Sequence, residues 1–168
     1  MILQYFKKKE NEYKKIADKS YINILSISKG LIKDNIFKKV DFESSFELIS
    51  IILVFYLKVF KEKNKIKYNK INDELIKNFI SDLDNTLREI GIGDMSIGKY
   101  VKRYVKKFYF RVKIIDALLD NYNEKKLINY LNSLKNINKQ YTSKLSLNLI
   151  DIYQNLKKNK GIIWKKIF

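Results

Sequence analysis

The chain has 168 residues, of which 46% are apolar, and a formal net charge of +17. This length suits one domain with a sizeable core, and the absence of Pro together with only five Gly favours an all-α fold. Without Cys or His the chain cannot form disulfides, the usual zinc sites, haem ligation by His or a hydrolytic triad. We therefore expect a protein that is not an enzyme and has no cofactor.

The positive charge favours anionic partners, but it is built almost entirely from Lys. Only three of the 35 basic residues are Arg, at positions 88, 103 and 111. Because Arg is the side chain that binds phosphate through two parallel hydrogen bonds, this scarcity argues against sequence-specific nucleic-acid recognition. A solvated lysine surface is the simpler explanation, and a general attraction to the ribosome or to anionic lipid stays open.

The N-terminal residues 1–15 have neither a long apolar run nor a cleavage-site pattern, so they do not predict a secretory signal. The most apolar uninterrupted run, Ile51–Leu57, is far shorter than the roughly 20 residues of a membrane-spanning helix. We expect the protein in the cytoplasm, including the cytoplasmic face of the inner membrane, or in the mitochondrial matrix of a eukaryote.

Apolar residues at helical spacing predict a first helix over about Asn11–Ser28, which Gly30 ends or bends. Asp41 or Ser44 is placed to cap a second, mostly apolar helix over about Phe42–Phe60.

The charged residues 61–70 predict an exposed loop, after which Asn72 or Asp73 begins a third helix. Gly91 is placed to end that helix in the left-handed conformation. The apolar stripe of this helix comprises Leu75, Phe79, Leu83, Leu87 and Ile90.

A long helix over about Ser96–Asn121 has two chemically opposite faces. Its apolar face comprises Val101, Tyr104, Val105, Phe108, Val112, Ile115 and Leu119. Its basic face comprises Lys99, Lys102, Arg103, Lys106 and Lys113. Such a basic face is solvated by default, but it also suits an acidic client, an RNA backbone or lipid headgroups.

Two further helices are predicted near Leu127–Leu134 and Lys144–Leu156. The sum is one all-α bundle of five to seven helices. We expect a single domain over residues 1–168 with short basic tails at 1–9 and 157–168.

The segment Leu87–Arg111 contains all three Arg and three of the five Gly, at 91, 93 and 98. Part of it, Gly93–Lys99, fits the first positions of a phosphate-binding loop. The fit fails at Tyr100, where a magnesium-binding Ser or Thr is required. The element predicted before this segment is also a helix, whereas a phosphate-binding loop follows a strand. We do not interpret it as a nucleotide site.

Four acidic residues near this segment, Asp82, Asp84, Glu89 and Asp94, offer oxygen ligands for Mg²⁺. Structural pairing is the favoured interpretation, because Asp84 and Arg88 stand four residues apart with the acid first, the favourable order for a helical ion pair. Asp82 is available to Arg111 or Arg103 if the two helices pack as a hairpin.

These motifs together resemble the ubiquinol–cytochrome c chaperone family. The run DLDNTLREIGIGDMSIGKYVK, residues 82–102, is similar to that family's D-x-D, L-R-E-x-G-V-G-D and V-G-K-x-V-K pattern, and the family's F-Y-G-R follows as Phe108-Tyr109 with Arg111. Phe46-Glu47 resembles an upstream R-F-D motif. The matching positions are Asp82, Asp84, Leu87, Arg88, Glu89, Gly91, Gly93, Asp94, Gly98, Phe108, Tyr109 and Arg111. The chain departs from the pattern at Ser45, Ile52, Phe110 and Ile115.

The resemblance implies a non-enzymatic assembly factor for the respiratory cytochrome bc complex. Its expected client is newly made cytochrome b, and the ribosome and a small partner protein are expected as further partners. On this interpretation Gly91 and Gly93 shape a turn, Asp94 caps the next helix, and Arg88 and Arg111 lock the hairpin through acid pairs. The expected partner-binding residues are Lys99, Lys102, Arg103 and Lys106.

Two alternatives stay open. One is a general ribosome- or RNA-binding helical protein. The other is a peripheral membrane protein that uses its amphipathic ends, Met1–Lys9 and Gly161–Phe168.

Overall fold

The computed structural model describes residues 2–32, 36–62, 65–120 and 124–158, with the backbone alone for 2–11 and 65–67. The helices are α1 (Ile2–Ile32), α2 (Phe42–Lys61), α3 (Lys65–Glu89), α4 (Asp94–Asp120), α5 (Glu124–Ser133) and α6 (Thr142–Lys158), with a 3₁₀ turn at Lys139–Tyr141. Within the described residues the only β pairing is a single bridge between Phe37 and Ile137. The predicted all-α class is confirmed.

The chain forms two compact units. The first comprises Met1–Ile22 and Phe60–Phe110, and the second comprises Asn23–Val59 and Arg111–Phe168. Helices α1, α2 and α4 therefore contribute residues to both units.

The core of the first unit is built mainly from one apolar stripe on each of α1, α3 and α4. Because apolar residues recur at three- and four-residue spacings, each helix buries one face and exposes the other. Phe79 of α3 packs on Phe108 of α4 with ring centroids 4.9 Å apart. The buried members include Ile16, Ala17, Ile71, Leu75, Phe79, Leu83, Leu87, Tyr104 and Phe108.

The core of the second unit is formed around α2. Its residues 50–56 are all buried, as expected for a helix that is apolar around its whole circumference. Phe55 contacts Tyr153 of α6 with ring centroids 5.4 Å apart. Leu127 and Leu131 of α5 and Leu145 and Leu149 of α6 complete this core.

The beginning of α2 agrees with its prediction, whereas the end of α1 does not. The backbone amide of Ser44 donates to the Asp41 carboxylate at 3.0 Å, which confirms Asp41 as the cap. This backbone bond lowers the pKa of Asp41. Gly30, expected to end or bend the first helix, lies inside α1, which continues to Ile32. An isolated Gly only weakens a helix interior and does not end it.

The beginning of α3 differs from the prediction. The helix starts at Lys65, so the loop predicted over 61–70 and the start predicted at Asn72 or Asp73 were wrong. The difference is explained by apolar contacts that begin before Asn72: half-buried Tyr68 stacks on Phe60 with ring centroids 6.1 Å apart, and Ile71 is fully buried. At the other end Ile90 is exposed, since α3 ends at Glu89 and the stripe ends with it.

The two C-terminal helices α5 and α6 confirm the segments predicted there. Among the described residues, no helix combines the length and hydropathy that crossing a bilayer requires.

Alkaline pH is expected to destabilise the protein partly through Tyr56 of α2. Burial raises the pKa of Tyr56 from its ordinary 10.0 to about 12. The folded state therefore holds this proton more tightly, so its contribution to stability is complete below pH 10.0 and is lost as pH rises toward about 12. A shift of this size corresponds to about 3 kcal/mol.

We expect Tyr56→Phe to lose less unfolding free energy than the wild type between pH 10.0 and about 12 in urea titrations. The difference between the two proteins below pH 10.0 corrects for the missing hydroxyl itself. Tyr21, whose pKa is raised by burial and by its bond to Asp82, accounts for part of the loss that the variant retains. Equal losses in both proteins would contradict the assignment to Tyr56.

Candidate functional site

The turn between α3 and α4 is closed by a Schellman motif centred on Gly91. The Ile92 amide donates to the Leu87 carbonyl at 3.0 Å, and the Gly91 amide donates to the Arg88 carbonyl at 2.9 Å. Gly91 has φ +95°, a conformation that other L-residues rarely adopt. The predicted left-handed end of α3 at Gly91 is confirmed.

The next helix begins differently from the prediction. The Gly93 carbonyl accepts hydrogen bonds from the amides of Ser96 and Ile97 at 2.9 and 3.1 Å, so Gly93 takes the capping position. Asp94 is the first helical residue, and its carboxylate accepts a hydrogen bond from Arg88. Gly93 has no left-handed φ, and a Cβ there would meet no atom within 4 Å, so the turn requires glycine only at Gly91. Gly98 is exposed with equally open space around it.

Arg88 joins the two helices across this turn. Its Nε donates to Asp84 at 2.7 Å, and its Nη1 donates to Asp94. The predicted ion pair with Asp84 is confirmed. These two hydrogen bonds raise the pKa of the Arg88 guanidinium. All three side chains reach solvent, so the pairs fix the geometry of the turn more than they add stability.

Replacing Gly91 with Ala is expected to lower the free energy of unfolding by about 1–2 kcal/mol, because an L-residue is strained at a positive φ. Gly93→Ala is the matched control in the same turn and should change it by less than about 0.5 kcal/mol. Urea unfolding followed by circular dichroism measures both. A Gly93→Ala variant as unstable as Gly91→Ala would contradict this account of the turn.

The sequence makes Asp82 available to Arg111 or Arg103, but the structure pairs it with neither. Its carboxylate instead accepts a hydrogen bond from the Tyr21 hydroxyl of α1 at 2.7 Å. One helical turn away, Asn78 donates to Asp18 of α1 at 2.8 Å. This face of α3 is therefore polar and bound to α1. Glu89 is exposed. In the described part of the chain, no three His, Cys, Asp or Glu side chains converge as a metal site would require.

Arg111 lies at the centre of a buried polar cluster in the second unit and is only 2% exposed. Nη2 donates to the Glu47 carboxylate, Nη1 donates to the Ser50 hydroxyl, and Nε donates to the Tyr130 hydroxyl at 2.8 Å. The guanidinium also stacks over the Phe46 ring at 5.2 Å. We call these residues the Arg111 cluster; they join α4 to α2 and α5.

The prediction that Arg111 locks the α3–α4 hairpin was therefore wrong. At 100° per residue, Arg111 shares a helix face with Phe108 and Ile115, both of which are buried. This face carries the guanidinium into the core of the second unit, where Glu47 compensates its charge.

A second charged group is buried at the other end of α2. The Lys58 ammonium donates to Asp116 at 2.7 Å and lies 2.7 Å from Asp120. Burial alone would lower the pKa of Lys58, but hydrogen bonds to the two carboxylates raise it.

Sequence reasoning missed both pairs, although a signal was present. Glu47 and Lys58 are charged residues inside the apolar part of α2, and charges in such a helix are rarely buried unless they are paired. Tyr130 offered no comparable signal.

The positions that depart from the family pattern have simple environments. Phe110, which stands where the pattern has Gly, is 66% exposed, so nothing in the described structure crowds it. Ile52 and Ile115 are fully buried apolar core residues. The Ser45 hydroxyl donates to the Asp41 carbonyl at 3.2 Å.

The predicted basic face of α4 is exposed along its whole length, at Lys99, Lys102, Arg103, Lys106 and Lys113. The Arg103 guanidinium stacks over the rings of Tyr100 and Tyr104 at 4.6 and 5.1 Å. Of the two aromatic residues of the motif, Phe108 is buried and Tyr109 is 52% exposed. The partner-binding role of this face stays a prediction.

The amphipathic ends considered as membrane contacts, Met1–Lys9 and Gly161–Phe168, lie outside the residues whose side chains the structure describes.

Comparison with known proteins gives one family and one solved structure. A family model described as ubiquinol-cytochrome C chaperone matches residues 39–142. The crystal structure of the Cbp3 homolog from Brucella abortus is similar with a TM-score of 0.78 and 25% sequence identity, over 97% of this chain and 93% of that chain. No curated protein sequence matches the chain. The matched range 39–142 includes the α3–α4 turn and every residue of the Arg111 cluster.

Proposed function

Because the chain belongs to the ubiquinol-cytochrome C chaperone family, we propose that it is a non-enzymatic assembly factor of the cytochrome bc complex that binds newly made cytochrome b. The observation that carries this proposal is the family match over residues 39–142, which spans α2, α3, α4 and α5. The likeness to the Cbp3 homolog over nearly the whole of both chains supports it.

The chemistry of the motif residues supports a binding role. Arg88 is paired with Asp84 and Asp94, and Arg111 is paired with Glu47. These charged groups join helices to one another, so their role is to fix the positions of the helices whose outer faces are exposed. A chaperone that binds and releases a client needs such a scaffold and no reacting group.

The partners proposed beyond cytochrome b are the ribosome and a small partner protein. The exposed cations Lys99, Lys102, Arg103 and Lys106 form the proposed partner-binding surface, and their charge suits an anionic surface, whether that of the ribosome or that of a membrane. The proposed location is the cytoplasm, at the cytoplasmic face of the inner membrane, or the mitochondrial matrix in a eukaryote.

A redox difference spectrum of membranes from cells with and without this gene tests the assembly role. We expect loss of the b-type haem signal of the bc complex while the signals of other cytochromes remain, and recovery when the wild-type gene is restored. An unchanged spectrum would contradict the proposal and favour a general RNA-binding role.

Client binding needs its own test. After pulse labelling, newly made cytochrome b should co-purify with the tagged protein, and another newly made membrane protein of similar size should not. Equal recovery of both would show a general affinity for nascent membrane proteins and would contradict a cytochrome b chaperone.

A further inference from the structure

The exposed side of α4 carries an unusual combination of side chains. Seven exposed residues of the first unit lie within about 120° of the helix circumference at 100° per residue. They are Met95, Lys99, Lys102, Arg103, Lys106, Tyr109 and Phe110. We call this surface the α4 outer face.

The charge of the α4 outer face is entirely positive. The sequence contains no Asp or Glu between Met95 and Ile115. Among the described residues, no carboxylate forms an ion pair with Lys99, Lys102 or Lys106. The field of these cations is therefore directed into solvent, where it attracts a dense array of negative charge.

The same face exposes large apolar side chains. Met95 is fully exposed, Phe110 is 66% exposed and Tyr109 is 52% exposed. Single exposed apolar residues are normal, but these lie at the two ends of one cationic stripe. The stripe from Met95 to Phe110 is about 22 Å long at 1.5 Å per residue.

Positive charge flanked by apolar groups matches the headgroup region of a bilayer better than it matches RNA. RNA binds cations through its phosphates and stacks its flat bases on aromatic rings, and neither contact involves an aliphatic side chain such as Met. A bilayer interface accepts both classes of side chain, because phosphates bind Lys and Arg while the acyl boundary accepts Met and Phe. Tyr suits the headgroup level between them.

We propose that the α4 outer face binds the surface of an anionic phospholipid bilayer, with the axis of α4 lying parallel to the membrane plane. The cations contact lipid phosphates, and Met95 and Phe110 enter the acyl boundary. This inference goes beyond the assembly role and stands without it, because it concerns the protein and lipid alone.

The test is co-sedimentation of the purified full chain with vesicles of phosphatidylcholine, with or without phosphatidylglycerol. We expect binding to the anionic vesicles. The double variant Lys102→Gln/Lys106→Gln should bind about 25-fold more weakly, since each cation near an anionic surface contributes about fivefold. Lys14→Gln/Lys15→Gln removes the same charge from exposed positions of α1 and should stay within about twofold of the wild type.

A second variant distinguishes binding to lipid from binding to RNA. Met95→Gln/Phe110→Gln keeps every charge and should weaken vesicle binding about tenfold through lost apolar burial. Because all substituted residues are exposed, the circular dichroism spectrum should be unchanged.

Vesicle binding that survives the Met95→Gln/Phe110→Gln change would overturn the inference. Tighter binding to a single-stranded RNA than to anionic vesicles at the same ionic strength would also overturn it. Neither result affects the haem spectrum of cells that lack the gene. The lipid contact and the assembly role are therefore tested independently.

Discussion

Replacing Arg111 with Ala is expected to lower the free energy of unfolding by about 3–5 kcal/mol. The change removes three hydrogen-bond donors and leaves the Glu47 carboxylate buried without its countercharge. A buried charge that loses its partner carries its full desolvation penalty, which exceeds what the pair itself contributes. Urea unfolding followed by circular dichroism measures the loss.

A matched control distinguishes the buried Arg from Arg in general. Arg103 lies on the same helix and is exposed, so Arg103→Ala should change the unfolding free energy by less than about 0.5 kcal/mol. Arg111→Lys should remain destabilised, because one ammonium on a flexible stem cannot reproduce a fork that serves three separate acceptors.

A double-mutant cycle tests whether the loss of unfolding free energy comes from the Glu47 carboxylate that is left buried without its countercharge. Arg111→Met and Glu47→Leu each break the pair, whereas the double variant removes both charges. We expect the double variant to be more stable than the sum of the two single changes predicts, by about 2 kcal/mol. Simple additivity would contradict the pairing, and a loss below about 1 kcal/mol for Arg111→Met would contradict its burial.

The local features of this site could be predicted from the sequence. Asp84 and Arg88 are four residues apart on one helix, so their pairing follows from helix geometry alone. Gly91 follows the last apolar residues of the α3 stripe, and its role depends on six consecutive residues, Leu87–Ile92. The two faces of α4 follow from a repeat that continues through the helix.

The contacts between distant segments could not be predicted in the same way. Arg111 is 64 residues from Glu47, and periodicity could not choose among the acids available to it. The prediction offered Asp82 across an assumed hairpin, whereas the burial of Arg111 on the apolar face of α4 decided the outcome. Tyr68 is a similar case, because a contact with Phe60 extended α3 into residues that look like a polar loop.

The adjacent aromatic residues Phe108 and Tyr109 are expected to differ in how much they contribute to stability, because Phe108 is buried and Tyr109 is half-exposed. Phe108→Ala should lower the unfolding free energy by about 3–5 kcal/mol, because the ring is buried against Phe79 and its removal leaves a cavity. Tyr109→Ala should lower it by less than about 1 kcal/mol, since about half of this side chain is already in water. Thermal or urea unfolding of both variants measures the difference.

The same pair links stability to function in one experiment. Tyr109→Ala should keep the fold and weaken binding to anionic vesicles, because Tyr109 belongs to the α4 outer face. Phe108→Ala should affect vesicle binding only through the loss of folded protein, because Phe108 is buried and is not part of the α4 outer face. Any binding that this variant loses should therefore return when a lower temperature restores the folded state. If Tyr109→Ala proved as destabilising as Phe108→Ala, the outward orientation of Tyr109 would be wrong. The lipid contact would then lose one of its apolar residues, while the buried scaffold of α3 and α4 would gain one.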